Sequence, residues 1–171
     1  MVSLALFQPE IPSNTGTLMR LSACLNVPLH VIGPTGFSMD DRALRRAGLD
    51  YRDKALTSVH VDFDAFCKAL AWAPPRLVLM TTKATTAHTD FQFQRGDVIM
   101  MGRETSGAPD WLHGRADARL IIPMMPNARS LNMAVAAGLV VGEALRQTKD
   151  FPNTMPQTPV DDAPATGNAT P

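Results

Sequence analysis

Apolar residues fall in short uninterrupted blocks along this chain, each closed by a polar, proline-rich or glycine-rich turn. Ser3 to Phe7, Leu29 to Ile32, Leu77 to Met80, Val98 to Met101 and Leu120 to Ile122 are such blocks, and Val59 to Val61 is a briefer one. Continuous rather than alternating apolarity marks strands covered on both faces, which predicts a mainly parallel sheet. Between the blocks the period becomes helical. Asn14 or Thr15 is placed to cap a helix running to about Asn26, with Leu18, Leu21 and Leu25 inward and Arg20 pointing off the buried face. Asp40 or Asp41 opens a short helix stopped by Gly48. Asp62 or Asp64 opens another, with Phe63, Phe66, Cys67 and Leu70 inward, which ends at Pro74-Pro75. The longest helix is expected from Ser130 to Gln147. Ser130 serves as its N-cap, and Ala134, Ala137, Gly138, Val141 and Leu145 form a small apolar face suited to a sheet or a partner chain. The pattern as a whole predicts an α/β fold with helices on both faces of the sheet.

Composition refines this picture. A length of 171 residues supports one good core, and the expectation is a single domain over residues 1–149. From Phe151 the chain turns to Pro, Thr, Asp, Ala and Asn with few large apolar residues, so 150–171 is expected to remain a flexible tail. Formal charge is zero overall, but all 16 Lys and Arg stand at or before Lys149 against 13 Asp and Glu, which leaves the body at +3. That is too little for a bulk nucleic-acid binder, so any RNA contact needs a local basic patch. Arg42, Arg45 and Arg46, followed by Arg52, form one; a solvated helix face is the plain alternative. Cys24 and Cys67 are far apart in apolar helical contexts and read as buried free thiols of a reducing compartment. MVSLALFQPE has no basic region or small-residue cleavage site, and no apolar run reaches membrane-spanning length. A cytoplasmic protein with no membrane association is the expectation.

Several chemistries find no support. No GxGxxG follows the first strand and no GxxxxGK occurs, so a standard dinucleotide or phosphate loop is missing. His30, His60, His88 and His113 lack metal-ligand spacing, and no metal is expected. Ser106 and Ser130 have no G-x-S-x-G frame. What remains are the turns after the later strands, TTKATT, GRETSG and PMMPNARS, since open α/β sheets bind ligands at the carboxyl ends of their strands.

Three segments are distinctive as an ordered set: EIPSNTGTLMR near the start, GRETSGAP after the fourth strand and IPMMPNARSLNMAVAAGLVVGEA after the fifth. Together they resemble the SpoU, or TrmH-like, branch of the SPOUT-class RNA methyltransferases, over the body from Met1 to about Lys149. Within that branch PEIPSNTGTLMRL and RRAGLDY look most like the tRNA wobble-nucleoside ribose 2'-O-methyltransferases.

The resemblance implies a C-terminal deep trefoil knot that holds S-adenosylmethionine, a homodimer, and a tRNA substrate engaged at its anticodon stem-loop. The knot is implied by the family alone, because general rules of topology count knots as exceptions. Carried over by position, the cofactor site comprises Met80, Thr81, Gly102, Glu104, Gly107, Ile122, Met124, Ser130 and Leu131. Arg20 is the implied catalytic residue. Arginine stays protonated in proteins. Gripping a phosphate and easing negative charge on the ribose oxygen therefore suits it better than general-base action, which is the family's alternative. Asn14, Arg129 and Asn132 are implied to order the loop or touch RNA, beside the arginine patch. Gly142 departs from the family, where an aromatic commonly precedes the glutamate matching Glu143, and this bears on the subunit contact. Two other functions stay open: the same chemistry at another tRNA or rRNA position, and a dimeric RNA-binding protein without turnover.

Overall fold

The computed structural model describes residues 1–39, 42, 44, 56–70 and 75–153. Among them, the apolar blocks form β1 (Ser3–Phe7), β2 (Leu29–Ile32), β3 (Thr57–His60), β4 (Leu77–Met80), β5 (Thr86–Ala87), β6 (Val98–Met101) and β7 (Ala118–Ile121). Helices are α1 (Pro12–Leu25), α2 (Phe63–Ala69), α3 (Asp110–Arg115) and α4 (Met133–Thr148). The strands make one parallel sheet in the order β3-β2-β1-β6-β4-β7-β5.

Both faces of the sheet are covered, as the uninterrupted apolar runs require. Leu4 and Leu6 of β1 point to one face, where Leu18 and Met19 of α1 and Met133, Ala137, Val140 and Leu145 of α4 bury them. Ala5 and Phe7 alternate to the other face, where they meet Phe66 of α2 and Leu112 of α3. Each fully buried aliphatic side chain contributes about 1.5–3 kcal/mol, so these two layers carry most of the stability.

The chain starts in the middle of the sheet. It runs outward through β2 and β3, then returns across β1 to build the other half from β4, β6 and β7. Beside β1 and β6 the connections diverge in opposite directions, and a crevice forms at such a reversal, above the carboxyl ends of the strands. The C-terminal end of α4 is held by the loop before β6: Gln147 Oε1 accepts from the Phe93 N–H at 2.9 Å, and its Nε2 donates to the Phe91 carbonyl at 3.0 Å. Asp97, almost wholly buried in the same region, takes a two-point contact from Arg76 at 2.9 and 2.8 Å.

Several local expectations need correction. Helix α1 begins at Pro12, with Ile11 as a cap that makes no side-chain bond, because proline at the first helical position supplies the fixed φ and needs no donor. Asn14 and Thr15 are therefore inside the helix and buried rather than capping it. Helix α4 is capped by Asn132, whose side-chain oxygen accepts from Ala134 and Val135 N–H, and not by Ser130 two residues earlier. Strand β3 begins two residues before the expected position and ends one before it, since Thr57 to His60 pair with Leu29 to Ile32 and leave Val61 exposed. Cys24 is exposed and Cys67 only partly covered; neither is a buried thiol, because Cys24 falls on the outer side of α1. Gly48 and the start of the helix expected after Met39 lie outside the described residues.

Candidate active site

A cleft of about 550 Å³ opens above the carboxyl ends of β4, β6 and β7. Its size falls within the ordinary range of small-ligand sites. Each of the nine residues carried over as cofactor contacts lines it: Met80, Thr81, Gly102, Glu104, Gly107, Ile122, Met124, Ser130 and Leu131. Asn14, Arg129 and Asn132 line it too. Arg20 does not. It stands exposed on α1, six residues beyond Asn14, and the rise of about 1.5 Å per residue carries it away from the cleft of its own chain. Arg42 is exposed, and Arg45, Arg46 and Arg52 lie outside the described residues.

The wall after β6 is a tight reversal. Arg103 and Gly107 exchange N–H to carbonyl bonds of 3.1 Å in both directions, and Gly107 takes the left-handed φ of +68°. Gly102 packs so closely beneath the reversal that a Cβ there would stand 2.6 Å from the Ala108 nitrogen. Only glycine allows this approach. The turn after β4 is set by Thr81, whose N–H donates to the Leu120 carbonyl at 2.9 Å while its hydroxyl accepts from the Lys83 N–H at 3.2 Å.

The three motif segments are locked to one another by side chains. Glu104 accepts from the N–H of Glu10 at 2.8 Å, the N–H of Ile11 at 3.3 Å and the Asn14 amide at 3.2 Å. Glu10 returns the arrangement: its carboxylate accepts from the Thr105 N–H at 2.9 Å and hydroxyl at 2.7 Å. Those two hydrogen bonds, with Arg103 adding a smaller attraction, hold the Glu10 carboxyl below its ordinary range despite some desolvation. Asn14 then accepts from the Asn132 amide at 2.9 Å. Glu104, Asn14 and Asn132 thus spend their polar groups on each other and on backbone, so they order the cleft rather than reach out of it.

Sequence reasoning passed over some of the lining. Met101 and His113 face the cleft outside the positions singled out above, whereas Lys83 and Thr105, which face it too, belong to the TTKATT and GRETSG turns. The signal for His113 is its position in α3, directly after the GRETSGAP turn. The lining suits a nucleoside with an amino-acid tail: Met80, Met101, Ile122 and Leu131 offer apolar surface for a flat base, and the glycine-bearing turns offer close backbone groups. Among the described residues, no group of three or more His, Cys, Asp or Glu is gathered as for a metal ion.

Comparison with known proteins agrees with this layout. Residues 1–142 match the model of the SpoU rRNA Methylase family. The tRNA (cytidine(34)-2'-O)-methyltransferase of Beijerinckia indica is 53% identical over 144 residues, covering 84% of this chain and 90% of that protein. A solved structure, reported for insight into the 2-OH methylation of C/U34 on tRNA, superposes with a TM-score of 0.82 at 39% identity, covering 86% of this chain and 95% of its own. The SpoU methyltransferase AviRb from Streptomyces viridochromogenes, solved in complex with AdoMet, gives 0.74 at 25% identity, covering 86% of this chain and 60% of its own. The fold and most of the sequence thus match those relatives, and the chain belongs to the SpoU methylase family.

Proposed function

We propose that this protein transfers a methyl group from S-adenosylmethionine to the ribose 2'-hydroxyl of the wobble nucleotide, cytidine or uridine, of a tRNA. The observation that carries the reading is the meeting of all three motif segments in one cleft, joined through Glu104, Asn14 and Asn132. Relatives named for this activity extend over most of the chain.

In that cleft S-adenosylmethionine supplies an electrophilic methyl on a sulfonium. The protein's own residues do the rest. Gly102 and Gly107 bring backbone close to the ligand, Met80, Ile122 and Leu131 cover its base, and Thr81, Met124 and Ser130 complete the rim. Glu104 holds the wall in place from behind. As the ribose oxygen bonds the methyl carbon, the carbon–sulfur bond would break, the neutral thioether would leave and the hydroxyl proton would pass to water, so negative charge building on that oxygen has to be eased. A guanidinium does this through its fork of donors, and it grips a neighbouring phosphate equally well. Arg20 is assigned that role, with Arg129 at the mouth of the cleft and Arg42, Arg45, Arg46 and Arg52 holding the anticodon stem.

The working form is assigned as a homodimer. Val135 and Leu139 are 54% and 48% exposed, one turn apart along α4 beside α1, where Leu21 packs against Gly138. Uncovered apolar surface of this kind marks subunit contacts. Pairing through α1 and α4 places Arg20 at the seam, and service to the partner's cleft reconciles its catalytic role with its distance from its own. The deep knot is part of the same proposal and rests on the family to which the chain belongs. Residues 1–149 form the methyltransferase domain and 150–171 a tail. The site of action is assigned to the cytoplasm; no helix among the described residues is long and apolar enough to cross a membrane.

Nuclease digestion and mass spectrometry of tRNA treated with the protein and S-adenosylmethionine test the assignment. Ribose methylation at the wobble position is expected. Methylation confined to another tRNA position or to rRNA, the target named by the family description, would replace the substrate and keep the chemistry.

A further inference from the structure

Trp111 stands outside the machinery assigned so far. It lies on α3, and half of its surface, 50%, faces solvent. The ring is nonetheless held in a fixed attitude. Phe7 meets it edge to face at 5.5 Å with a 76° interplanar angle, and Phe63 does so at 5.1 Å and 69°. Phe7 ends β1 and is itself buried, so the platform is rooted in the core. Two guanidinium groups flank it: Arg103 lies 5.9 Å from the centre of the Phe7 ring and Arg115 6.0 Å from that of Phe63.

Position matters as much as composition. Phe7 sits at the carboxyl edge of the sheet, the edge that carries the cleft. Arg103 belongs to both, since it lines the cleft and donates to Gln8, the residue after Phe7. The neighbouring acid on α3, Asp110, is matched by Lys83 at 3.6 Å, so the patch keeps its positive character. A wet indole fixed by aromatic neighbours and bordered by arginines is the chemistry by which proteins hold an unpaired base. The base stacks on the ring, and the guanidinium groups meet its phosphates. Core packing alone is served by Phe7 and Phe63 and leaves the exposed half of Trp111 unexplained.

We propose that Trp111, braced by Phe7 and Phe63 and flanked by Arg103 and Arg115, is a stacking platform for an unpaired nucleotide next to the one that is methylated. The inference rests on the tRNA reading above. Loop nucleotides are splayed from their stem when an enzyme reaches a ribose between them, and a fixed ring accepts either pyrimidine or purine without reading its edge.

The test uses the full chain and an anticodon stem-loop RNA. Trp111→Ala is expected to raise the KM for RNA about tenfold, the scale of one lost base stack, with S-adenosylmethionine affinity unchanged. Trp111→Phe keeps a π-face and is expected to recover most of that loss. In a Trp72→Phe background, which leaves Trp111 as the only tryptophan, the stem-loop is expected to quench fluorescence. An unaltered KM with unquenched fluorescence overturns the platform. So does a loss that Trp111→Phe leaves unrestored, or one accompanied by lower cofactor affinity or a change of oligomeric mass, which marks a structural or subunit role. Failure of the unsubstituted protein to methylate the stem-loop counts against the wobble assignment instead, and fluorescence quenching then decides the platform by itself.

Discussion

Asn132 donates from its side-chain amide to the Asn14 side-chain oxygen at 2.9 Å, across 118 positions of sequence. The same Asn132 caps α4 through its own side-chain oxygen, and Asn14 hands its amide hydrogen on to Glu104. One short polar relay therefore fixes the start of α4, the first turn of α1 and the wall after β6. This is why three motifs so far apart in sequence belong together: each closes one side of the same cleft.

Asn14 is the middle of that relay and is buried, so Asn14→Ala strands the Asn132 amide and removes a donor from Glu104. A buried group left without its partner costs about 1–3 kcal/mol. Urea unfolding is expected to show a loss of that size, and calorimetry a fall in S-adenosylmethionine affinity. Asn14→Asp is expected to be worse, because it sets a carboxylate against Glu104. In a double-mutant cycle with Asn132→Ala the two losses should fall short of additive.

Glycine substitutions separate the cleft from the rest of the chain. At Gly102 an added methyl meets the Ala108 nitrogen at 2.6 Å and the Gly107 carbonyl carbon at 2.7 Å, and these are backbone atoms in the tight reversal. Gly102→Ala is expected to destabilise by about 1–3 kcal/mol as the wall shifts, with a larger proportional loss in cofactor binding. Gly114→Ala, in α3 where a Cβ meets nothing within 4 Å, is expected to gain about 0.5–1 kcal/mol. Thermal unfolding of the two variants with and without S-adenosylmethionine compares them directly.

The sheet was legible because strands buried on both faces are written as continuous apolar runs. Strand β5 was missed because Thr86 and Ala87 form no such run, and α3 because only Leu112 in it is buried. The start of β7 was placed late, since Ala118 and Arg119 pair with Val78 and Leu79 through backbone bonds that their side chains do not advertise. Ser130 and Asn132 are both good caps in sequence; the long-range bond to Asn14 accompanies the choice of the second. The glycines of the site could be read from their turns. The role of Glu104 could not, because its partners lie 90 to 94 positions away. Nor does local pattern reveal that Arg20 lies outside the lining of its own cleft.

His30 and His60 stand 3.1 Å apart through their ring nitrogens, both packed on Phe66. Burial first, and the neighbouring His60 second, push the His30 pKa from 6.5 down to about 4, and burial also lowers His60. The unfolded chain therefore takes up protons between about pH 6.5 and 4 that the folded chain refuses, so stability falls as pH drops through that window. Above it the pair is neutral in both states and stability is flat with respect to these groups. Glu143 does not blur the result: hydrogen bonds from Arg146 and then Gln147 hold it at about 2, and its contribution is lost only as pH falls from about 4.5 toward that value. The melting temperature of the unsubstituted protein should drop more between pH 7 and pH 5 than that of His30→Gln. Equal drops would remove the histidine pair as the cause.

Arg20 is assigned to act on the reacting ribose although it lies outside its own cleft, and this makes a sharp prediction possible. Arg20→Ala is expected to lower kcat at least about a hundredfold, the usual worth of a group that handles the reacting proton or its charge, while S-adenosylmethionine affinity stays unchanged. Arg20→Lys should rescue little, because a point charge lacks the planar fork. The decisive measurement, made at limiting S-adenosylmethionine, mixes Arg20→Ala, slow in the chemical step, with Gly102→Ala, weak in cofactor binding, and lets subunits exchange. If Arg20 serves the partner's cleft, a mixed dimer holds one complete site: the intact cleft of the Arg20→Ala chain with the arginine of its neighbour. Activity then returns on mixing. If Arg20 serves its own cleft, no chain in the mixture has both parts, and the mixture stays as impaired as its components.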